Sequence, residues 1–179
     1  MKVAVFGSAN AHEGEDLYNL AYRLGSLLAE AGHIVMTGGY CGTMEAASRG
    51  AAEASGHTIG VTSNEIEAFR PGGPNAWVRE VIPTLTLGDR IAILTRTADA
   101  FIALPGGVGT LVEVAMAYNL NAIGAINARP LIVIGEGWKQ TFEAFFTGQN
   151  ASVNASTRAI LQFAADADGA VALIQQEKE

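Results

Sequence analysis

The chain has 179 residues and a mass of 18.6 kDa, with 49% hydrophobic, 16% charged and 7% aromatic residues and a formal net charge of −7. A chain of this length can bury about 70% of its unfolded surface, and its low charge and high apolar content exclude disorder. One cysteine excludes an intrachain disulfide framework, and the acidic balance argues against a nucleic-acid partner, whose phosphates demand a basic face.

The bases are eight arginines and three lysines, Lys2, Lys139 and Lys178. Neither a P-loop lysine after a glycine run nor a Schiff-base lysine beside one is therefore available. Lys2 is followed by only four apolar residues before Gly7, too few for a signal-peptide core. No apolar run approaches the roughly 20 residues of a membrane span. A soluble, cytoplasmic protein is the expectation.

Short β-branched runs alternate with helical stretches, which predicts an α/β fold with a Rossmann-like parallel sheet and helices on both faces. Residues 2–6 read as a strand that closes at Gly7-Ser8. Residues 15–31 carry Leu17, Leu20, Ala21, Leu24, Leu27 and Leu28 at helical spacing, with acids at the start and Gly32 at the stop. A strand over 33–37, a glycine loop over 38–42, a small-residue helix over 44–54 and a strand over 58–61 follow. From 63 to 75 the regularity fails around Pro71-Gly72-Gly73-Pro74, and 81–85 reads as a short strand. Residues 87–97 predict a helix, and 100–104 a strand running into Pro105-Gly106-Gly107-Val108-Gly109. A helix over 110–123, a strand over 130–134 and two C-terminal helices complete the reading. No repeat or linker divides the chain, so one domain over 1–179 is expected.

Three strand-to-helix turns carry glycine: Gly7-Ser8, Gly38-Gly39 to Gly42-Thr43, and Gly106-Gly107 to Gly109-Thr110. In an open parallel sheet such turns share the carboxyl edge, where ligands bind near a topological switch point. Glycine lets the backbone approach a ligand, and each following helix aims free N–H groups and its positive dipole end at it. Gly7, Ser8, Gly39, Thr43, Gly106, Gly107, Gly109 and Thr110 are thus candidate phosphate contacts. The plainer alternative makes the glycines turn punctuation and the threonines helix N-caps. The G-x-G-x-x-G dinucleotide fingerprint is absent from these turns.

Two charged residues are candidates for chemistry. Glu113 follows Thr110 in a T-x-x-E pattern, which suits either a capping box or a carboxylate at the mouth of a phosphate site. Arg90 lies near the start of a mostly apolar helix, where it can pair with Asp89 on the surface or hold an anion bidentately. Arg70 and Arg79 flank the Pro-Gly loop and are candidates to close over a phosphate, although solvated loop charges are the duller reading. His12, His33 and His57 are scattered without ligand spacing, and Cys41 has no base placed beside it, so neither a metal nor a cysteine nucleophile is expected. Tyr118 and Asn119, about two turns after Glu113, are candidates to line a neighbouring surface, although core or dimer packing is the plainer reading.

Pro105-Gly106-Gly107-Val108-Gly109-Thr110-Leu111-Val112-Glu113 resembles the PGGxGTxxE signature of the LONELY GUY (LOG) family, often labelled lysine decarboxylase-like. Val5 to Ser8 is similar to that family's opening turn, and Gly38 to Met44 to its GGxxGxM turn. Arg90 stands where the arginine of its RK-containing helix falls. The resemblance implies a Rossmann-like fold, a homodimer and a bound nucleoside 5′-monophosphate. It also implies phosphoribohydrolase activity on an AMP or cytokinin-type nucleotide, with Glu113 and Arg90 as the catalytic pair and no cofactor, and it extends the phosphate contacts of the glycine turns to a ribose. The helix reads Leu87-Gly88-Asp89-Arg90-Ile91, with isoleucine where the family has lysine. That departure favours an alternative, a non-catalytic carrier of a nucleotide or a molybdopterin-type cofactor. A pyridoxal decarboxylase is unsupported, because no lysine lies near the glycine turns.

Overall fold

A computed structural model of the chain describes residues 1–176; Lys178 lies outside the described residues. Seven strands form one parallel sheet: β1 (Lys2–Phe6), β2 (Ile34–Thr37), β3 (Thr58–Ser63), β4 (Glu80–Thr84), β5 (Ala100–Ala103), β6 (Leu131–Ile134) and β7 (Leu161–Ala164). The helices between and after them are α1 (Asp16–Glu30), α2 (Thr43–Glu53), α3 (Asn64–Phe69), α4 (Leu87–Thr97), α5 (Val108–Ala122), α6 (Glu136–Gly148), α7 (Ala155–Arg158) and α8 (Ala167–Gln176). This is the α/β, Rossmann-like architecture that the alternating pattern predicts.

The spatial order is β4-β3-β2-β1-β5-β6-β7. The chain builds outward from β1 in one direction through β4, then returns to place β5 on the other side of β1. Val3 accordingly pairs with Val35 on one side and Ala100 on the other. That reversal is the switch point of the sheet, and parallel strands put every strand-to-helix turn on the same edge.

Strands buried on both faces supply two cores. Val3, Val5, Val35, Ile102 and Ile132 meet α1, α2 and α8 on one face. Ala4, Phe6, Met36, Phe101 and Val133 meet α4, α5 and α6 on the other. Alternation along each strand decides which side chain goes where. Helices α1 and α2 touch backbone to backbone, because a Cβ at Gly25 would overlap the Ala47 carbonyl and one at Gly50 the Tyr22 carbonyl.

Three elements differ from the sequence expectation. The irregular stretch begins with the short helix α3. The C-terminal region contains α6, α7 and α8 with β7 inserted between them, pairing Leu131 with Leu161. Helix α5 starts at Val108 with Gly107 as its N-cap, so Thr110 lies inside the helix and forms no capping box with Glu113. Thr43 likewise is helical, behind an N-cap at Gly42 whose φ of 72° favours glycine. No described helix is long and apolar enough to cross a membrane.

Candidate active site at the switch point

The carboxyl ends of β1 and β5 open into a cleft of about 540 Å³. Gly7, Ser8 and Asn10 from the first turn line it, as do Gly107, Gly109 and Thr110 from the third. Among the described residues nothing would contact a Cβ at Gly107 or Gly109, so a ligand can approach this backbone closely. Helix α5 spans 15 residues and begins here, with no side chain capping its first amides. Those amides and the helix dipole favour an anion.

Arg90 and Glu113 meet in the floor of the cleft, 5% and 8% exposed. Arg90 Nη1 donates to Glu113 Oε1 at 3.3 Å, and Nε donates to the Val61 carbonyl at 2.8 Å. Its Nη2 faces Met44 Sδ at 3.7 Å, and its Cζ lies 5.7 Å from the centre of the Tyr40 ring. Four contacts, from β3, α2, α5 and the turn after β2, therefore fix one guanidinium. Burial pushes the Glu113 carboxyl up to about 7, against the opposing pull of the Arg90 charge and hydrogen bond. The result is a carboxylate that exchanges a proton near neutrality, facing a fixed cation.

Asp89 is not the partner of Arg90. It belongs to the N-cap of α4: Thr86 Oγ1 accepts from Asp89 N at 3.1 Å and donates to Asp89 Oδ2 at 2.7 Å. The T-x-x-D spacing before an apolar run is the signal that reveals it.

The other candidates divide by position. Gly39 and Thr43 lie behind the cleft lining. Gly39 packs on Gly60, and the Thr43 hydroxyl donates to the Ser8 carbonyl at 3.1 Å, tying the second turn to the first. Gly106 packs on the Thr110 side chain. Arg70 lines the cleft, whereas Arg79 enters β4 at the opposite, amino edge, bonded through its N–H to Thr58. Arg79 thus does not close over the site. Cys41 spends its thiol on the Ala9 carbonyl at 3.3 Å. Tyr118 packs against Phe142 and Phe146 and donates to the Thr157 carbonyl at 2.9 Å, while Asn119 is exposed. Among the described residues no three His, Cys, Asp or Glu side chains gather as a metal would require.

Tyr40 and Asn75 were not singled out from sequence, yet both build the site. Tyr40 lines the cleft under Arg90. Asn75 Nδ2 donates to the Gly39 and Tyr40 carbonyls at 3.0 and 2.8 Å. Asparagine after a Pro-Gly turn was the available signal, but its target is 35 residues away.

Residues 1–160 match the model of the SLOG cluster4 family. A cytokinin riboside 5′-monophosphate phosphoribohydrolase of Mycobacterium tuberculosis is 33% identical over 74% of this chain and 69% of its own length. Among solved structures, the molybdenum cofactor binding protein of Rippkaea orientalis matches with a TM-score of 0.77 and 28% identity, over 99% of this chain and 97% of that one. The molybdenum cofactor carrier protein of Chlamydomonas reinhardtii matches with a TM-score of 0.74 and 31% identity, over 98% and 96%. The fold is shared with both solved structures, and the chain belongs to the SLOG cluster4 family.

Proposed function

We propose that the protein is a nucleoside 5′-monophosphate phosphoribohydrolase, which cleaves the N-glycosidic bond of an AMP or cytokinin-type nucleotide to free base and ribose 5-phosphate. The observation that carries this reading is the buried Arg90–Glu113 pair beside the uncapped start of α5. The phosphate sits on the amides of Gly107 to Thr110, which anchors the sugar remotely. The Glu113 carboxylate takes a proton from water as the water oxygen bonds C1′. The C1′–N bond breaks, and the departing base nitrogen takes a proton from solvent, to which Glu113 returns the one it accepted. Positive charge on the ribose in that transition state is stabilised by the same carboxylate. Arg90 aims the carboxylate. Similarity to a phosphoribohydrolase over most of the chain supports the assignment.

A second reading has its own support. Ile91 stands where a lysine is expected in the motif and lines the cleft, and the two molybdenum cofactor proteins match nearly the whole chain. A carrier would hold its ligand intact. Incubation with AMP and an N6-substituted AMP, followed by chromatography, separates the two. Free base with ribose 5-phosphate supports hydrolysis. Thermal stabilisation by a ligand recovered unchanged rejects it in favour of the carrier.

A homodimer completes the proposal. Helix α5 buries Val114, Ala117 and Leu120 in its own subunit, yet leaves Val108, Leu111, Val112, Ala115 and Met116 exposed, with Ile123 exposed at its C-cap. These fall at helical spacing on one uncharged face that adjoins the cleft, which a second copy of the chain would cover.

A further inference from the structure

The segment between β3 and β4 is pinned to Tyr40 at both ends. At its start, Ser63 N donates to Tyr40 Oη at 2.7 Å, and the same hydroxyl lies within donating distance of the Ser63 carbonyl, 3.1 Å, and of Glu67 Oε1, 3.3 Å. At its end, Asn75 N and Nδ2 donate to the Gly39 carbonyl, and Nδ2 also donates to that of Tyr40. Between these anchors Ile66, Phe69 and Arg70 reach the cleft. Phe69 is 85% exposed. A phenyl ring held at the lip of a cleft, with so little of it packed, leaves most of its apolar area for something that enters.

Sheet order sets the scale. The carboxyl end of β3 stands three strand positions from that of β5, about 14 Å at a spacing near 4.8 Å per strand. An extended mononucleotide is of comparable length. An anion at the start of α5 therefore directs the other end of such a ligand toward the Phe69 side of the cleft.

We infer that Phe69 is a specificity-determining residue, stacking on the flat heterocycle of a ligand whose phosphate rests on the first amides of α5, and that Tyr40 holds the segment presenting it. This deepens the nucleotide reading above and rests on it. Stacking is indifferent to the exact base, so Phe69 selects for a planar ring over none rather than for one heterocycle. Arg70, the next residue, stays beside the same ligand with its guanidinium 3.7 Å from Cys41 Sγ.

The test is calorimetric titration with AMP and with ribose 5-phosphate, made in an E113Q background so that the base stays attached. With Phe69 present, AMP binds more tightly than ribose 5-phosphate. F69A weakens AMP about tenfold or more and leaves ribose 5-phosphate unchanged, while F69Y restores AMP binding. Equal affinity of the two compounds with Phe69 present overturns the inference. So does an F69A protein that binds AMP undiminished, or that loses both compounds alike or loses its oligomeric state. AMP bound through Phe69 but never cleaved by the wild-type protein rejects the hydrolase and leaves the stacking role standing. AMP cleaved by a protein indifferent to F69A rejects the stacking role alone.

Discussion

Gly38 leaves the space that the Arg90 guanidinium fills. A Cβ at position 38 would overlap Arg90 Nη2, lie 2.8 Å from its Cζ and 2.6 Å from Met44 Sδ. The backbone at Gly38 has no left-handed φ, so the requirement is for volume and not for conformation. Gly38→Ala therefore acts on Arg90. The methyl group displaces the guanidinium from Glu113 and from the Val61 carbonyl. Phosphoribohydrolase activity falls by about 100-fold, the scale for losing one placed electrostatic group, while far-UV circular dichroism stays unchanged. Undiminished turnover in this variant would separate Arg90 from the chemistry.

The Glu113 carboxyl couples stability to pH. Its folded value of about 7 lies above the 4.5 of a solvated glutamate. The contribution of Glu113 to stability is therefore fully present below about pH 4.5 and is lost as pH rises through about 7. The span is on the order of 3 kcal/mol. Glu113→Gln cannot titrate, so the stability difference between variant and wild type shifts in favour of the variant as pH rises across this window. Chemical denaturation at pH 5, 6, 7 and 8 reads it; parallel curves for the two proteins would contradict the raised value. Catalysis follows the opposite limb. A carboxylate acting as base must be ionised, so kcat/KM for AMP climbs to a plateau above about pH 7.

Local patterns were legible and distant ones were not. The helix expected over 87–97 is α4, residue for residue, because its apolar period and breaker signals agree. Strand β7 reads Leu161-Gln162-Phe163-Ala164, with Leu161 buried, Phe163 exposed and no β-branching, and only pairing with β6 makes it a strand. Helix α3 has six residues and no buried side chain, so it carries no apolar period to detect. Arg79 sits near the Pro-Gly loop in sequence, but the chain crosses the sheet before reaching it. The glycine turns reveal the cleft because all strands are parallel. That Arg90 pairs with Glu113 and not with Asp89 depends on Gly38, Val61, Met44 and Tyr40, which no local spacing connects.

The N-cap of α4 gives a separate check on the element that carries Arg90. Thr86 and Asp89 satisfy each other across the first turn. Thr86→Ala removes an N-cap worth about 1 kcal/mol. For a chain of this size that lowers Tm by roughly 2–4 °C. Thermal unfolding followed by circular dichroism measures the shift. An unchanged Tm would mean that the cap does not hold the start of α4.

Helix α5 is apolar on two faces, and among the described residues only one of them has a partner. Met116 is 41% exposed and belongs to the outward face with Leu111 and Val112. A carboxylate there meets water in the monomer but would be buried in a dimer that uses this face, and a desolvated unpaired charge costs several kcal/mol. Met116→Glu therefore converts a wild-type dimer to a folded monomer, read as a halved mass by light scattering with the circular dichroism spectrum preserved. Because Val108 and Val112 also line the cleft, the monomer binds nucleotide more weakly than the dimer. A monomeric wild type, or a Met116→Glu protein that keeps its dimer mass, would place the subunit contact elsewhere and leave this face exposed.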